Sequence, residues 1–103
     1  MIKKISIIGI GGSMGTWFGN YFNKMGFEVT GYDSEKEIKS KYIIKANSLV
    51  GAILNTDYVL LCTPTKRTPE IIRLISKEMK RDSFLIEISS QKSKTSHSMR
   101  LRK

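Results

Sequence analysis

Three short runs in this chain are apolar almost without interruption: the second half of 2–9 (IKKISIIG), 58–62 (YVLLC) and 84–88 (FLIEI). Runs of this length that do not alternate with polar residues suit strands covered on both faces, as in a parallel sheet. Two weaker strands are added by 27–32 (FEVTGY), closed by Asp33, and by 42–45. Helical patterns lie between them. Met14, Trp17, Phe18, Tyr21, Phe22 and Met25 recur at three- and four-residue intervals, and Gly26 stands just beyond as a stop. That stripe is expected to be one core-facing side of a helix. Ser34 caps a short charged helix over 34–41, and Ser48 caps another over 48–55. Thr68 and Pro69 open a further helix, with proline at the first helical position and Glu70 near the positive end of the dipole. Its buried face is Ile71, Ile72, Leu74, Ile75 and Met79. Strict alternation of strand and helix predicts right-handed crossovers and an α/β fold, a doubly wound parallel sheet of about five strands with helices on both faces.

A chain of 103 residues, 40% hydrophobic, fits one small domain with a single core. No stretch approaches the roughly 18 apolar residues of a membrane span. The two N-terminal lysines are followed by an apolar run that ends in glycines with no cleavage site, which speaks against a secretory signal. A single cysteine, Cys62, cannot close an internal disulfide, so a reducing cytoplasm is the expected location. The net charge of +9 raises nucleic acid as a partner. Its distribution argues against that. Five of the 18 basic residues (Lys92, Lys94, Arg100, Arg102, Lys103) fall in 92–103, with none of the nine acids. A terminal charge run is an ordinary solvated segment, and neither motif nor fold accompanies it.

In a doubly wound sheet, ligands bind beyond the carboxyl ends of the strands where strand order reverses. Four strand ends supply candidates. Gly9, Gly11, Gly12 and Gly15, with Ser13 and Met14 between them, form G-x-G-G-x-x-G where the first strand passes into the first helix. Glycine there lets backbone amides approach a pyrophosphate, and the helix N-terminus points at the anion. The register has two readings. Counting from Gly9 puts Met14 at the third glycine; counting back from Gly15 and Gly12 puts Ile10 at the first. Asp33 follows Gly15 by 18 residues at the end of the second strand, near the acidic position that accepts bonds from an adenosine ribose. A carboxylate there favours NAD over NADP, with Lys36, Lys39 and Lys41 close enough to soften the preference. Thr63 and Pro64 close the fourth strand, and Ser89 and Ser90 the fifth. Cys62 reads as a small core residue, His97 lacks an acidic neighbour, and no metal site is assigned.

With these pieces placed, the chain resembles the NAD(P)-binding half of prephenate dehydrogenases, including arogenate dehydrogenases. The likeness is carried by IIGIGGSMG, by YVLLCTPTKRTPEII and by FLIEISSQKS, in which Ser-x-Lys follows the fifth strand. The resemblance implies a Rossmann-type domain over 1–91, and a basic polar tail over 92–103 that begins a truncated interdomain segment. It implies an oxidoreductase of tyrosine biosynthesis that converts prephenate to 4-hydroxyphenylpyruvate by oxidative decarboxylation. Ser90 matches the family serine that orients substrate and the catalytic histidine, and Lys92 the lysine beside it. The family's histidine lies in a downstream His-Pro segment that this chain does not reach, and His97 does not take that role. Turnover by the chain alone is therefore not expected. The helical C-terminal domain that gives the family its dimer and its grip on prephenate or arogenate is also absent. Two alternatives stay open: the nucleotide-binding domain of another β-hydroxyacid-type dehydrogenase, and a non-catalytic nucleotide-binding module.

Overall fold

The computed structural model describes residues 3–63, 66, 68–90 and 97–102, the last two residues of β5 and all of β6 as backbone. The elements run β1 (Lys4–Ile8), α1 (Ser13–Lys24), β2 (Glu28–Tyr32), β3 (Ile44–Lys45), α2 (Leu49–Ile53), β4 (Tyr58–Leu61), α3 (Thr68–Ser76), β5 (Phe84–Ser90) and β6 (His97–Arg102). They make one sheet in the order β3-β2-β1-β4-β5-β6. β1 to β5 are parallel, as the uninterrupted apolar runs require, and strand order reverses between β1 and β4.

Each central strand divides its side chains between two cores. Ile5 and Ile7 of β1 and Leu60 of β4 pack with Val29, Ile10 and Ile43 under α1, against which Phe18 and Phe22 are seated. Ile8, Val59, Leu61 and Leu85 meet Ala52 and Ile53 of α2 and Ile72 and Ile75 of α3 on the other face. The one polar side chain on β1 between these isoleucines, Ser6, is buried and donates its hydroxyl to the Ala52 carbonyl, which ties α2 to the sheet. Ser48 caps α2 as its sequence position suggests, accepting the Gly51 N–H at 3.0 Å.

Three expectations are corrected. Residues 34–41 form no helix. The Asp33 carboxylate takes the N–H groups of Glu35 (2.9 Å) and Lys36 (2.8 Å), which bends the backbone immediately after β2. Charged helix-formers without an apolar face have no packing to oppose that turn.

The aromatic stripe of α1 is split. Phe18 and Phe22 face the core, whereas Trp17 and Met25 are each 61% exposed and Tyr21 44%. A helix on a flat sheet buries one narrow face, and the six apolar positions wrap wider than that. Trp17 and Tyr21 instead stack on each other, centroids 5.4 Å apart.

The third correction concerns the segment expected as a tail. Residues 97–102 pair antiparallel with β5, Ile86 opposite Leu101 and Ile88 opposite Met99. The period-two alternation of Met99 and Leu101 with Ser98 and Arg100 carries the strand signal that the segment's charge obscures. Among the described residues no helix is long and apolar enough to cross a membrane.

Candidate functional site

The carboxyl ends of β1, β2 and β4 open into a cleft of about 740 Å³, floored at its β5 side by Ile88. Its geometry begins at Gly9, which leaves β1 with φ +86°, a left-handed conformation that side chains resist. The Gly9 N–H donates to the Tyr32 carbonyl at 2.8 Å and the Cys62 N–H to the Ile8 carbonyl at 2.8 Å. The three strand ends are thereby held at one level.

The loop glycines differ in what requires them. A Cβ at Gly9 would lie 2.7 Å from the Cys62 carbonyl oxygen. One at Gly15 would fall on the Gly9 carbonyl oxygen and 2.8 Å from the Ile10 Cα, so α1 can approach the β1 turn only without a side chain there. A Cβ at Gly11 would crowd the Lys36 Cβ at 2.6 Å. Gly12 is unlike these. Its backbone (φ −76°, ψ 171°) is open to any residue, and an added Cβ would meet only the Gly9 oxygen, at an ordinary 3.7 Å. The space it leaves is the cleft itself, of which Gly12, Ser13 and Met14 form one wall. Gly12 is also the N-cap of α1, with no side-chain cap and no acidic residue in the first turn, so the helix's positive end meets the cleft uncompensated.

This settles the register. Gly12 and Gly15 hold the second and third glycine places, and the tight turn is made one residue early by Gly9. Ile10, at the first place, points inward and is 1% exposed. It fits because Gly19 of α1 and Gly31 of β2 are bare: a Cβ at either would come within 2.8 or 2.9 Å of the Ile10 side chain. Glycine inside a helix and inside a strand is disfavoured. That pair was the signal for a buried residue between them.

Asp33 sits at the mouth of the cleft, its Oδ2 accepting the Gly11 N–H at 3.0 Å. Thr63 lines the β4 side, its hydroxyl 3.0 Å from that of Thr68 at the start of α3. Gly9, Gly12, Ser13, Met14, Asp33 and Thr63 therefore share one cleft, while Gly11 faces the turn after Asp33. Pro64 and Lys92 lie outside the described residues. Ser90 ends β5 with its Cα opposite that of His97, and its side chain is outside the description. Sequence reasoning missed the apolar wall made by Tyr32, Leu49, Ile71 and Leu74. Leu74, expected in the core, is 55% exposed and borders the opening.

Cys62 is half-buried beneath the cleft, and burial pushes its thiol up from 9.0 to about 12. The folded state thus favours the neutral thiol, which suits a packing residue and not a nucleophile. The unfolded thiol ionises first as pH rises. Stability should therefore be unaffected by this group below pH 9 and fall between 9 and about 12. Urea midpoints measured across that range should show a component that Cys62→Ala removes.

Residues 2–93 match the sequence profile of the D-isomer specific 2-hydroxyacid dehydrogenase, NAD binding domain. The chain belongs to this family. The NAD-binding domain is 30% identical over 100 residues to a probable arogenate/prephenate dehydrogenase of Methanocaldococcus jannaschii, covering 92% of its own length. It spans only 22% of that relative's length. Among solved structures it is similar to the NAD-dependent formate dehydrogenase of Staphylococcus aureus in complex with NAD, with a TM-score of 0.74, 20% identity, and 89% of this chain set on 28% of that one. It is also similar to prephenate dehydrogenase from A. aeolicus in complex with hydroxyphenyl propionate and NAD+ (TM-score 0.67, 20% identity, 87% of this chain and 34% of that one). These structural likenesses speak for the shared fold. The cleft fits the cofactor of the family: a side-chain-free cradle at Gly12 under an uncapped helix N-terminus is what a pyrophosphate requires.

Proposed function

We propose that this NAD-binding domain serves a prephenate or arogenate dehydrogenase. Its cleft would hold the dinucleotide with the pyrophosphate over Gly12 and the first turn of α1, and the adenosine ribose against Asp33. Tyr32 and Leu74 supply an apolar border for a flat base. The observation that carries cofactor binding is Gly12, a glycine that neither backbone conformation nor any neighbour in the chain demands. The substrate assignment is supported by the 30% identity to the probable arogenate/prephenate dehydrogenase and by Ser90 and Lys92 after β5. NAD held in this cleft would supply the hydride acceptor. In that reaction the substrate ring loses its carboxylate as carbon dioxide and becomes aromatic, and Ser90 is the residue of this chain proposed to orient the substrate hydroxyl.

Two measurements test this reading. Gly12→Val is expected to weaken NAD binding at least a hundredfold by isothermal titration while leaving the thermal melt within a few degrees of the parent, because the new side chain enters empty space. Retained binding would remove the pyrophosphate from this loop. For the substrate, residues 1–91 can replace the matching part of the Methanocaldococcus relative. Prephenate- or arogenate-dependent NADH formation by the chimera is expected. A folded, NAD-binding chimera inactive on both would refute the assignment. Activity on a D-2-hydroxyacid would favour a second reading, drawn from the family profile that residues 2–93 match.

A further inference from the structure

The two faces of the sheet are not covered alike. α2 and α3 pack on one, and among the described residues α1 is the one helix on the other. It lies over β1 and β2. Tyr58, Ile86 and Ile88 reach the same face from β4 and β5 and stay half-buried, with Phe84 at their edge, 36% exposed. A parallel strand is ordinarily covered on both faces. The flank of α1 walls this strip. At roughly 100° per residue, Phe18 faces the sheet while Gly19 and Asn23 turn to the β3 side. There Gly19 leaves room for the Ile43 side chain and Asn23 donates to the Tyr42 carbonyl. Trp17 and Tyr21 therefore turn the opposite way, toward β4 and β5. Ring contacts run from Trp17 and Tyr21 through Phe22, Phe27 and Tyr58 to Phe84, with centroids between 5.1 and 6.1 Å apart. Helix flank and aromatic rim enclose an apolar groove floored by Ile86 and Ile88.

Charge selects the occupant. The chain carries +9, yet α1 holds a single charged side chain, Lys24 in its last turn, and β4 holds none. Glu87 of β5 alternates to the opposite face, with Leu85. An acidic partner or a nucleic acid finds almost nothing to pair with here, whereas two copies of a cationic chain repel least where both are neutral. The groove calls for an uncharged helix with an aromatic flank, and α1 is such a helix; its outermost positions, Thr16 and Asn20, are exposed and uncharged. We propose that two copies of this chain associate through this face about a two-fold axis. Each α1 lies over β4 and β5 of the other copy, and Trp17 and Tyr21 of both form the seam. Under a two-fold axis one surface is its own complement, so a groove beside a projecting aromatic flank satisfies both copies at once. The inference is independent of what the cleft binds.

Sedimentation equilibrium of the full chain at about 100 μM should give a mass approaching twice that of one chain, falling toward the single mass on hundredfold dilution. Trp17 is the single tryptophan, so its emission should move to shorter wavelength over the same concentration range. Replacing both Trp17→Ser and Tyr21→Ser should abolish the dimer while the thermal melt of the dilute protein stays within a few degrees of the parent, because both side chains are exposed. Asn20→Arg brings like charges together at the contact and should weaken association at least tenfold. It keeps the test decisive if the double variant does not fold. Tyr42→Ser removes an aromatic residue that is 62% exposed on the other flank of α1 and should dimerise like the parent. A parent that stays monomeric at the higher concentration would overturn the proposal. So would a dimer that survives Asn20→Arg unchanged, or one that Tyr42→Ser disrupts equally. A monomer whose Trp17 emission shifts instead on neutral phosphatidylcholine vesicles would assign the face to a lipid surface and overturn it too.

Discussion

Gly15→Ala is expected to destabilise the domain by about 3 kcal/mol, the upper end of what overpacking costs, and to abolish NAD binding with it. The direction is diagnostic. In an ordinary helix interior the same change stabilises by roughly 0.5–1 kcal/mol, because alanine loses less backbone freedom. Here the added methyl would fall on the Gly9 carbonyl oxygen, and its next neighbour is the Ile10 Cα. Both are backbone, so no rotamer change relieves the contact. Relief requires α1 to lift from the β1 turn, which disturbs Ile10 beneath it and moves the first-turn amides away from the cleft. With a typical small-domain urea dependence, the midpoint should fall by about 2 M. An unchanged midpoint would show that α1 does not rest on this glycine. Paired with Gly12→Val, the result separates two glycines three residues apart: one required by packing, the other by the cleft.

The second large effect is in the core beneath α2. Ile53 is fully buried, grouped with Ile8, Val59, Leu61 and Leu85 of the sheet and Ile72 and Ile75 of α3. Truncation to alanine removes buried methylene groups and leaves a cavity that flanking strands cannot close, a loss of about 3–4 kcal/mol. Set against a total of roughly 5–10 kcal/mol for a domain of this size, that approaches half of its stability. The neighbouring residue is the control. Leu54 is 53% exposed, and Leu54→Ala should cost well under 1 kcal/mol. Similar losses for the two would mean that the α2 register is wrong by one residue. In the folded fraction, Ile53→Ala should leave the affinity for NAD near that of the parent, since Ile53 does not line the cleft.

Most of the architecture was legible in the sequence because the physics was local. Uninterrupted apolar runs identified the parallel strands, Ser48 its helix cap, and Thr68-Pro69 the start of α3. Asp33 was legible as a strand-end carboxylate, and its three backbone partners were not, since one of them lies across the fold at Gly11. The same bonds explain why 34–41 is a turn: a single carboxylate outweighs the weak helix propensity of a segment with nothing to pack against. Trp17 misled because periodicity reports which residues share a helix face but not how wide a face the sheet can cover. The register of the glycine loop was ambiguous from spacing alone. It became readable through Gly19 and Gly31, whose missing side chains make room for Ile10 but only once α1 and β2 are side by side.

The inward turn of Ile10 bears on the entropy of ligand capture. A glycine-rich loop is ordinarily a flexible one, and a ligand that orders it gives up part of its affinity to do so. In this domain the middle of the loop is anchored in the apolar core, and the Gly9 and Ile10 amides are fixed on the Tyr32 carbonyl. The loop's disorder is therefore removed when the chain folds. What the cofactor meets is a surface already set, at which association demands little further loss of conformational freedom.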